Sequence, residues 1–131
     1  MIVYKVKITA ADCDLYEHMN TLKYMQKFYD AADEFMLKFG FSDPILAKRR
    51  LGCAFLEFNT KFIKEVFAGN EILIDAQIKE KGSKVVTILL QMIRKEEVVS
   101  EAILKLLFFD LEKRKSLRLD DELLKGIADK W

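Results

Sequence analysis

The 131-residue chain is poor in the residues that mark irregular, braced or metal-held proteins: one proline, five glycines, two cysteines and one histidine. So little proline and glycine argues against disorder and against long irregular loops. The cysteines, Cys13 and Cys53, form no CxxC pair, and with only one histidine they speak against a zinc site. An excess of either charge is also missing. Lys and Arg number 22 against 21 Asp and Glu, which does not favour a nucleic-acid partner. No apolar run reaches the ~18 residues that a spanning helix needs, so no membrane partner is expected. The opening "MIVYKVKI" alternates charged and apolar residues and does not read as a leader. The expectation is a cytoplasmic protein of a reducing compartment.

What the chain does hold is apolar material. It is 51% hydrophobic and carries ten phenylalanines, enough for one sizeable core in a single domain over 1–131. Residues 2–8 alternate, with Ile2, Tyr4, Val6 and Ile8 on one face, as a half-buried strand does. A polar loop follows over 10–19. From there Leu22, Met25, Phe28/Tyr29, Ala32, Phe35/Met36 and Phe39 recur at three-to-four spacing. That predicts a helix of five turns, capped at its start by Asn20 or Thr21 and closed by Gly40. A connection over 42–50 leads to a change of period.

From residue 52 the apolar period is two. Strands are predicted over 52–64 (Leu56, Phe58, Thr60 and Phe62 on one face), 71–79, 84–93 and 98–111, with "EKGS" and "RKEE" as hairpin turns. The segment 84–93 is apolar on both faces, as a strand covered twice is. Asp120 is placed to cap a short C-terminal helix carrying Leu123, Leu124 and Ile127. One long helix with an antiparallel sheet of about five strands is an α+β arrangement. The helix is apolar over a broad arc, so the sheet is expected to curl around it. An unpaired sheet edge and the doubly apolar strand predict a homodimer or a dimer of dimers.

The chemistry concentrates in Asp12-Cys13-Asp14-Leu15-Tyr16-Glu17-His18-Met19-Asn20, with Tyr24 one turn on. This D-x-D-x-x-x-H-x-N-x-x-x-Y segment, opening a long helix between a strand and a meander, resembles the hotdog-fold thioesterases. Plant acyl-carrier-protein thioesterases and the 4-hydroxybenzoyl-CoA thioesterase class share parts of it. Downstream, "FLEFNTKFIKEVFAGNEILI" (55–74) resembles the strand–turn–strand of that superfamily. The two stretches together are most similar to the thioesterases of carnitine and betaine breakdown. There are departures. The plant pattern has an asparagine two residues before the histidine, where this chain has Tyr16, and the 4-hydroxybenzoyl class keeps the aspartate but lacks this histidine.

The resemblance implies acyl-CoA thioester hydrolysis with no metal or bound cofactor, coenzyme A being part of the substrate. Asp14 matches the catalytic carboxylate of the 4-hydroxybenzoyl class, as nucleophile or general base. Read without the resemblance, it is a turn aspartate that satisfies backbone N–H groups. Asp12 reads as such a turn residue. His18 is placed to orient or activate water or to meet the thioester carbonyl, and taken alone it reads as a cap or a satisfied polar residue. Backbone amides at the helix start, backed by the helix dipole, would hold the developing oxyanion.

Glu57, mid-strand in an apolar segment, is a second candidate carboxylate, either in the same subunit or across a dimer. Its plain alternative is a solvent-facing strand residue paired with Lys61 or another charge. Tyr16, Met19, Asn20 and Tyr24 are the candidate substrate contacts. Asn20 also reads as the helix cap, and Tyr24 as a packing residue with a wet hydroxyl. Lys48, Arg49 and Arg50 could meet coenzyme A phosphates, though a charge run of this kind reads first as a solvated loop. Cys13, between two aspartates that would raise its pKa, is a poor nucleophile, and Cys53 reads as core. Two other functions fit the scaffold: a non-catalytic acyl-CoA or acyl-carrier binding module, and a hydratase using His18 with an acid.

Overall fold

The computed structural model describes residues 1–38, 48 and 50–118. The expected Gly40 cap, most of the 42–50 connection and the Asp120 helix lie outside these residues. Strand β1 (Ile2–Lys7) leads through one 3-10 turn (Ala10–Asp12) and a loop into helix α1 (Thr21–Lys38). Strands β2 (Leu51–Phe62), β3 (Glu71–Lys81), β4 (Val85–Arg94) and β5 (Glu97–Asp110) follow. They form one antiparallel sheet in the order β1-β3-β4-β5-β2. The expected architecture of one long helix and a five-stranded antiparallel sheet is observed, with strand ends within two residues of the expectation.

Register explains the core. Tyr4↔Ile74, Ile74↔Met92, Ile88↔Leu104 and Leu106↔Phe55 set one residue of every strand on the same face of the sheet. On that face Ile72, Ile74, Ile88, Leu90, Met92, Leu104 and Phe108 are buried, and helix α1 packs Phe28, Ala31, Ala32 and Phe35 among them. The helix lies over β1, β3 and β4. Among the described residues, no helix is long and apolar enough to cross a membrane.

Two details differ from the periodicity. The buried stripe of α1 runs through Tyr24, Phe28, Ala31, Ala32 and Phe35. Leu22, Met25 and Tyr29 fall outside it and are 72, 40 and 46% exposed. The broad apolar arc thus covers more than the sheet of one chain uses. In β2 the register slips between Phe55 and Glu57, so Leu56 is an extra residue. Cys53, Phe55, Phe58, Thr60 and Phe62 keep the helix-side face opposite Phe108, Leu106, Leu104, Ala102 and Ser100, while Leu56 is 53% exposed.

Candidate active site

The polar loop is held at both ends. Ile8 N–H donates to Asn70 O at 2.9 Å and Gly69 N–H to Ile8 O at 2.7 Å, fastening the end of β1 to the β2–β3 turn. Gly69 has φ +90°, a conformation that favours glycine. Asp12 closes the first loop turn: its Oδ2 accepts from Thr9 N–H at 3.0 Å and from the Thr9 hydroxyl at 3.2 Å. Its Oδ1 meets Lys27 Nζ of the helix at 3.4 Å, and its carbonyl accepts from Asn20 N–H at 2.9 Å. The backbone bond from Thr9, with the Lys27 charge, holds the Asp12 carboxyl below the usual aspartate range against the cost of burial.

Asp14 opens a tight turn. Tyr16 N–H donates to Asp14 Oδ1 at 2.9 Å, Glu17 N–H to Asp14 O at 3.0 Å, and Asp14 N–H to His18 O at 3.0 Å. Glu17 takes a left-handed φ of 68°, a costly conformation for a residue with a side chain. The turn folds His18 back over Asp14, so that Nε2 lies 3.4 Å from Asp14 Oδ2. The other ring nitrogen, Nδ1, lies 3.1 Å from Glu65 Oε1. The turn reading of Asp14 is what the geometry shows, with one oxygen left over. One oxygen satisfies the turn and the other faces the imidazole.

Glu65 is the residue that motif reasoning passed over. It stands in the "KEVFAG" turn after β2, and that turn is tied to the loop through Met19 N–H to Val66 O at 2.7 Å and the His18–Phe67 bridge. Arg94 donates from Nη1 to Glu65 O at 2.7 Å and to Asn70 Oδ1 at 3.0 Å, fixing the turn from the β4–β5 hairpin. The signal for it in the sequence is that this turn lies in the 55–74 stretch that resembles the superfamily.

The other candidates separate. Glu57 does not join Asp14 and His18 within the chain. The bulge at Leu56 turns it to the outer face of the sheet, opposite Lys105, whose Nζ is 3.4 Å from its carboxylate. Its plain alternative, a strand residue paired with a charge, is what the geometry shows. Met19 is 2% exposed and belongs to the core, so its side chain is not presented to a substrate. Tyr24, 5% exposed, packs edge-on against Phe62 with ring centroids 5.0 Å apart. Burial raises its pKa, and its hydroxyl is not the wet group expected.

Asn20 is the helix cap, its Oδ1 accepting from Leu22 N–H at 2.8 Å. Tyr16 is 79% exposed, and its ring lies 5.8 Å from that of His18. Arg50 is occupied by Glu112 at 2.9 Å, Lys48 is exposed, and Arg49 lies outside the described residues. Cys53 is not core. It lies on the edge strand, reachable by solvent yet crowded enough that desolvation, with the Asp33 charge, pushes its thiol up to about 11.

The supply of oxyanion donors is narrower than a free helix start provides. The N–H groups of Met19 and Asn20 are taken by Val66 O and Asp12 O, and those of Leu22, Lys23 and Tyr24 by Asn20. Among the described residues, Thr21 N–H is the first-turn amide left without an acceptor. Beside it, Leu22, Met25 and Tyr29 recur at helical spacing, and Tyr29 meets Phe55 at 5.4 Å between centroids, itself 6.0 Å from Phe58. Exposed apolar side chains therefore run along α1 from its start to Tyr29, where they meet Phe55 of β2. Among the described residues, no three His, Cys, Asp or Glu side chains are grouped to hold a metal ion.

Solved structures share this architecture. A Staphylococcus aureus protein in complex with CoA superposes with a TM-score of 0.92 at 18% identity, over 98% of this chain and 83% of that one. The DHNA-CoA thioesterase of S. aureus gives 0.86 at 15% identity, over 97% and 88% of the two chains. The 1,4-dihydroxy-2-naphthoyl-CoA thioesterase of Synechocystis gives 0.84 at 15%, over 96% and 94%. At such identities the likeness speaks for the hotdog fold. No curated protein sequence matches the chain. The sequence itself carries the kinship: residues 8–127 match the model of the thioesterase-like superfamily, and the chain belongs to that superfamily.

Proposed function

We propose that the chain hydrolyses an acyl-CoA thioester to the free acid and coenzyme A. The observation that carries this reading is the imidazole of His18 held between Asp14 Oδ2 and Glu65 Oε1 at a helix start, in a member of the thioesterase-like superfamily. Asp14 is the reacting carboxylate. Its Oδ2 activates a water or attacks the thioester carbonyl, while Oδ1 stays bound to the turn. A neutral imidazole donates one N–H, and a protonated ring donates two. Glu65 orients the ring through Nδ1, which leaves Nε2 to exchange a proton on the Asp14 side. The Thr21 amide, at the positive end of the α1 dipole, meets the developing oxyanion. The strip from Leu22 to Phe55 takes the acyl group.

We assign the working form to a homodimer or a dimer of dimers. The outer edge of β2 has no strand beside it among the described residues, and Phe62 on that strand is 52% exposed. A site that is 28% exposed at Asp14 and 32% at His18 would be closed to bulk water by a second copy.

The test is thiol release from a panel of aromatic, short, long and quaternary-ammonium acyl-CoAs. Asp14→Asn should lower kcat by ~10²–10⁴ with the fold intact. His18→Ala should cost less, because the oxyanion donor remains. Glu57→Gln should leave hydrolysis within about twofold, as expected for a surface substitution. A large loss in Glu57→Gln with Asp14→Asn fully active would transfer the chemistry to Glu57. CoA binding without thiol release from any substrate would favour the binding-module reading. Water addition to an enoyl-CoA would favour a hydratase.

A further inference from the structure

We propose that a basic cleft beside the loop, lined by the end of β1 and by the β4–β5 hairpin, seats the phosphate-bearing end of coenzyme A. This rests on the acyl-CoA reading above. The cleft encloses about 820 Å³ and is bordered by Lys5, Lys7, Arg94 and Lys95, with Glu71 as the one carboxylate on its wall. The whole chain is near neutral, at +1, so this concentration of positive charge is local.

Arg94 is bound to Glu65 O and Asn70 Oδ1, and Lys7 stands opposite Glu71 in the β1–β3 register without forming an ion pair. Among the described residues, the ammonium groups of Lys5, Lys7 and Lys95 have no ion-pair partner. Lysines on an edge strand discourage edge pairing, which accounts for Lys5 and Lys7 on β1. It does not account for Lys95, which a left-handed φ of 48° sets at the tip of another hairpin on the same cleft. Gathering unpaired cations around one concavity costs free energy unless an anion joins them. The anion fitting this arrangement carries more than one phosphate.

The cleft adjoins the site. Arg94, on its wall, donates to the carbonyl of Glu65, the residue that touches His18. Asn70, also on the wall, accepts from Ile8 N–H through its carbonyl, immediately before the loop. In coenzyme A the pantetheine arm separates the thioester from the phosphates, so a thioester at Asp14 and phosphates at the lysines are two ends of one ligand. The run Lys48–Arg50 is the poorer candidate, because Arg50 is spent on Glu112.

The experiment is titration calorimetry with CoA and with adenosine 3′,5′-bisphosphate, at low and high salt, on wild type and on the Lys7→Glu/Lys95→Glu variant. Both probes should bind wild type, more weakly as salt rises. The variant should lose about tenfold or more in affinity, as expected for lost charge-assisted contacts. Lys7→Arg/Lys95→Arg, which keeps the charge, should stay near wild type. In turnover, the variant's KM for acyl-CoA should rise while its kinetics on the phosphate-free N-acetylcysteamine thioester stay unchanged. Wild-type affinity in the charge-reversed variant, folded by circular dichroism, would overturn the proposal. Charge-dependent CoA binding without hydrolysis of any thioester would keep the cleft and remove the hydrolase. Hydrolysis of the cysteamine thioester without any advantage for CoA would do the reverse.

Discussion

Asp12 and Asp14 stand two residues apart and have different tasks. Asp12 is structural, bonded to Thr9 and Lys27, with its carboxyl held below its ordinary value chiefly by the Thr9 backbone bond. The folded state thus prefers the charged form more than the unfolded chain does. That stabilisation is complete above the ordinary aspartate value of 3.8 and is lost as pH falls through the lower folded value. Asp12→Asn should lower stability by about 1–2 kcal/mol at neutral pH, the scale of a lost cap or charged hydrogen bond. The gap between variant and wild type should shrink on acidification below pH ~4, where wild type also loses the charge. Urea denaturation at several pH values measures both.

Asp14 and His18 were legible because their spacing is local and belongs to a known pattern. Glu65 was not, because it reaches His18 across 47 residues of chain through a turn whose docking no periodicity encodes. The burial of Met19, and of the hydroxyl of Tyr24, whose packing role was read, was missed for the same reason. What buries them is the Val66 turn and Phe62, which arrive from β2.

At the scale of elements, the switch from a period of 3.6 to a period of two was enough to find the helix and all five strands. Faces were less legible. A bulge such as that at Leu56 inverts the alternation beyond it, and only the partner strand shows where the extra residue sits. The residue this misplaced is Leu56, expected on one face with Phe58, Thr60 and Phe62 but left over in the ladder and 53% exposed. The pairing of β2 with β5 also depends on Gly52, which lies opposite Phe109. A Cβ added there would come within 2.4 Å of Phe109 Cζ, while Arg114 covers that ring at 5.4 Å from its centroid. Gly52→Val should displace the ring, open this end of the ladder and cost about 1–3 kcal/mol in chemical denaturation. Adding Phe109→Ala should restore part of the loss, because the two residues meet and their effects are not additive.

For the whole molecule, the sheet ends in a long edge strand, β2, with Leu56 and Phe62 more than half exposed. Such an edge is normally paired or blunted. Light scattering at micromolar concentration and moderate salt should give a dimer or a tetramer. Phe62→Glu should shift the protein toward monomer and reduce thioester hydrolysis in parallel, if a second copy closes the site. A wild-type monomer would remove the assembly from the proposal.

The histidine clamped by Asp14 and Glu65 is the only one in the chain. Its ring protons are therefore a single, self-assigned pair of signals in a proton NMR spectrum, without isotope labelling or assignment. Because its two flanking carboxylates come from segments that meet only when the β2–β3 turn docks on the loop, that one pair reports simultaneously on tertiary closure, on each carboxylate substitution and on the arrival of a thioester analogue. Titrated or heated, the molecule carries its own gauge of whether the site is assembled.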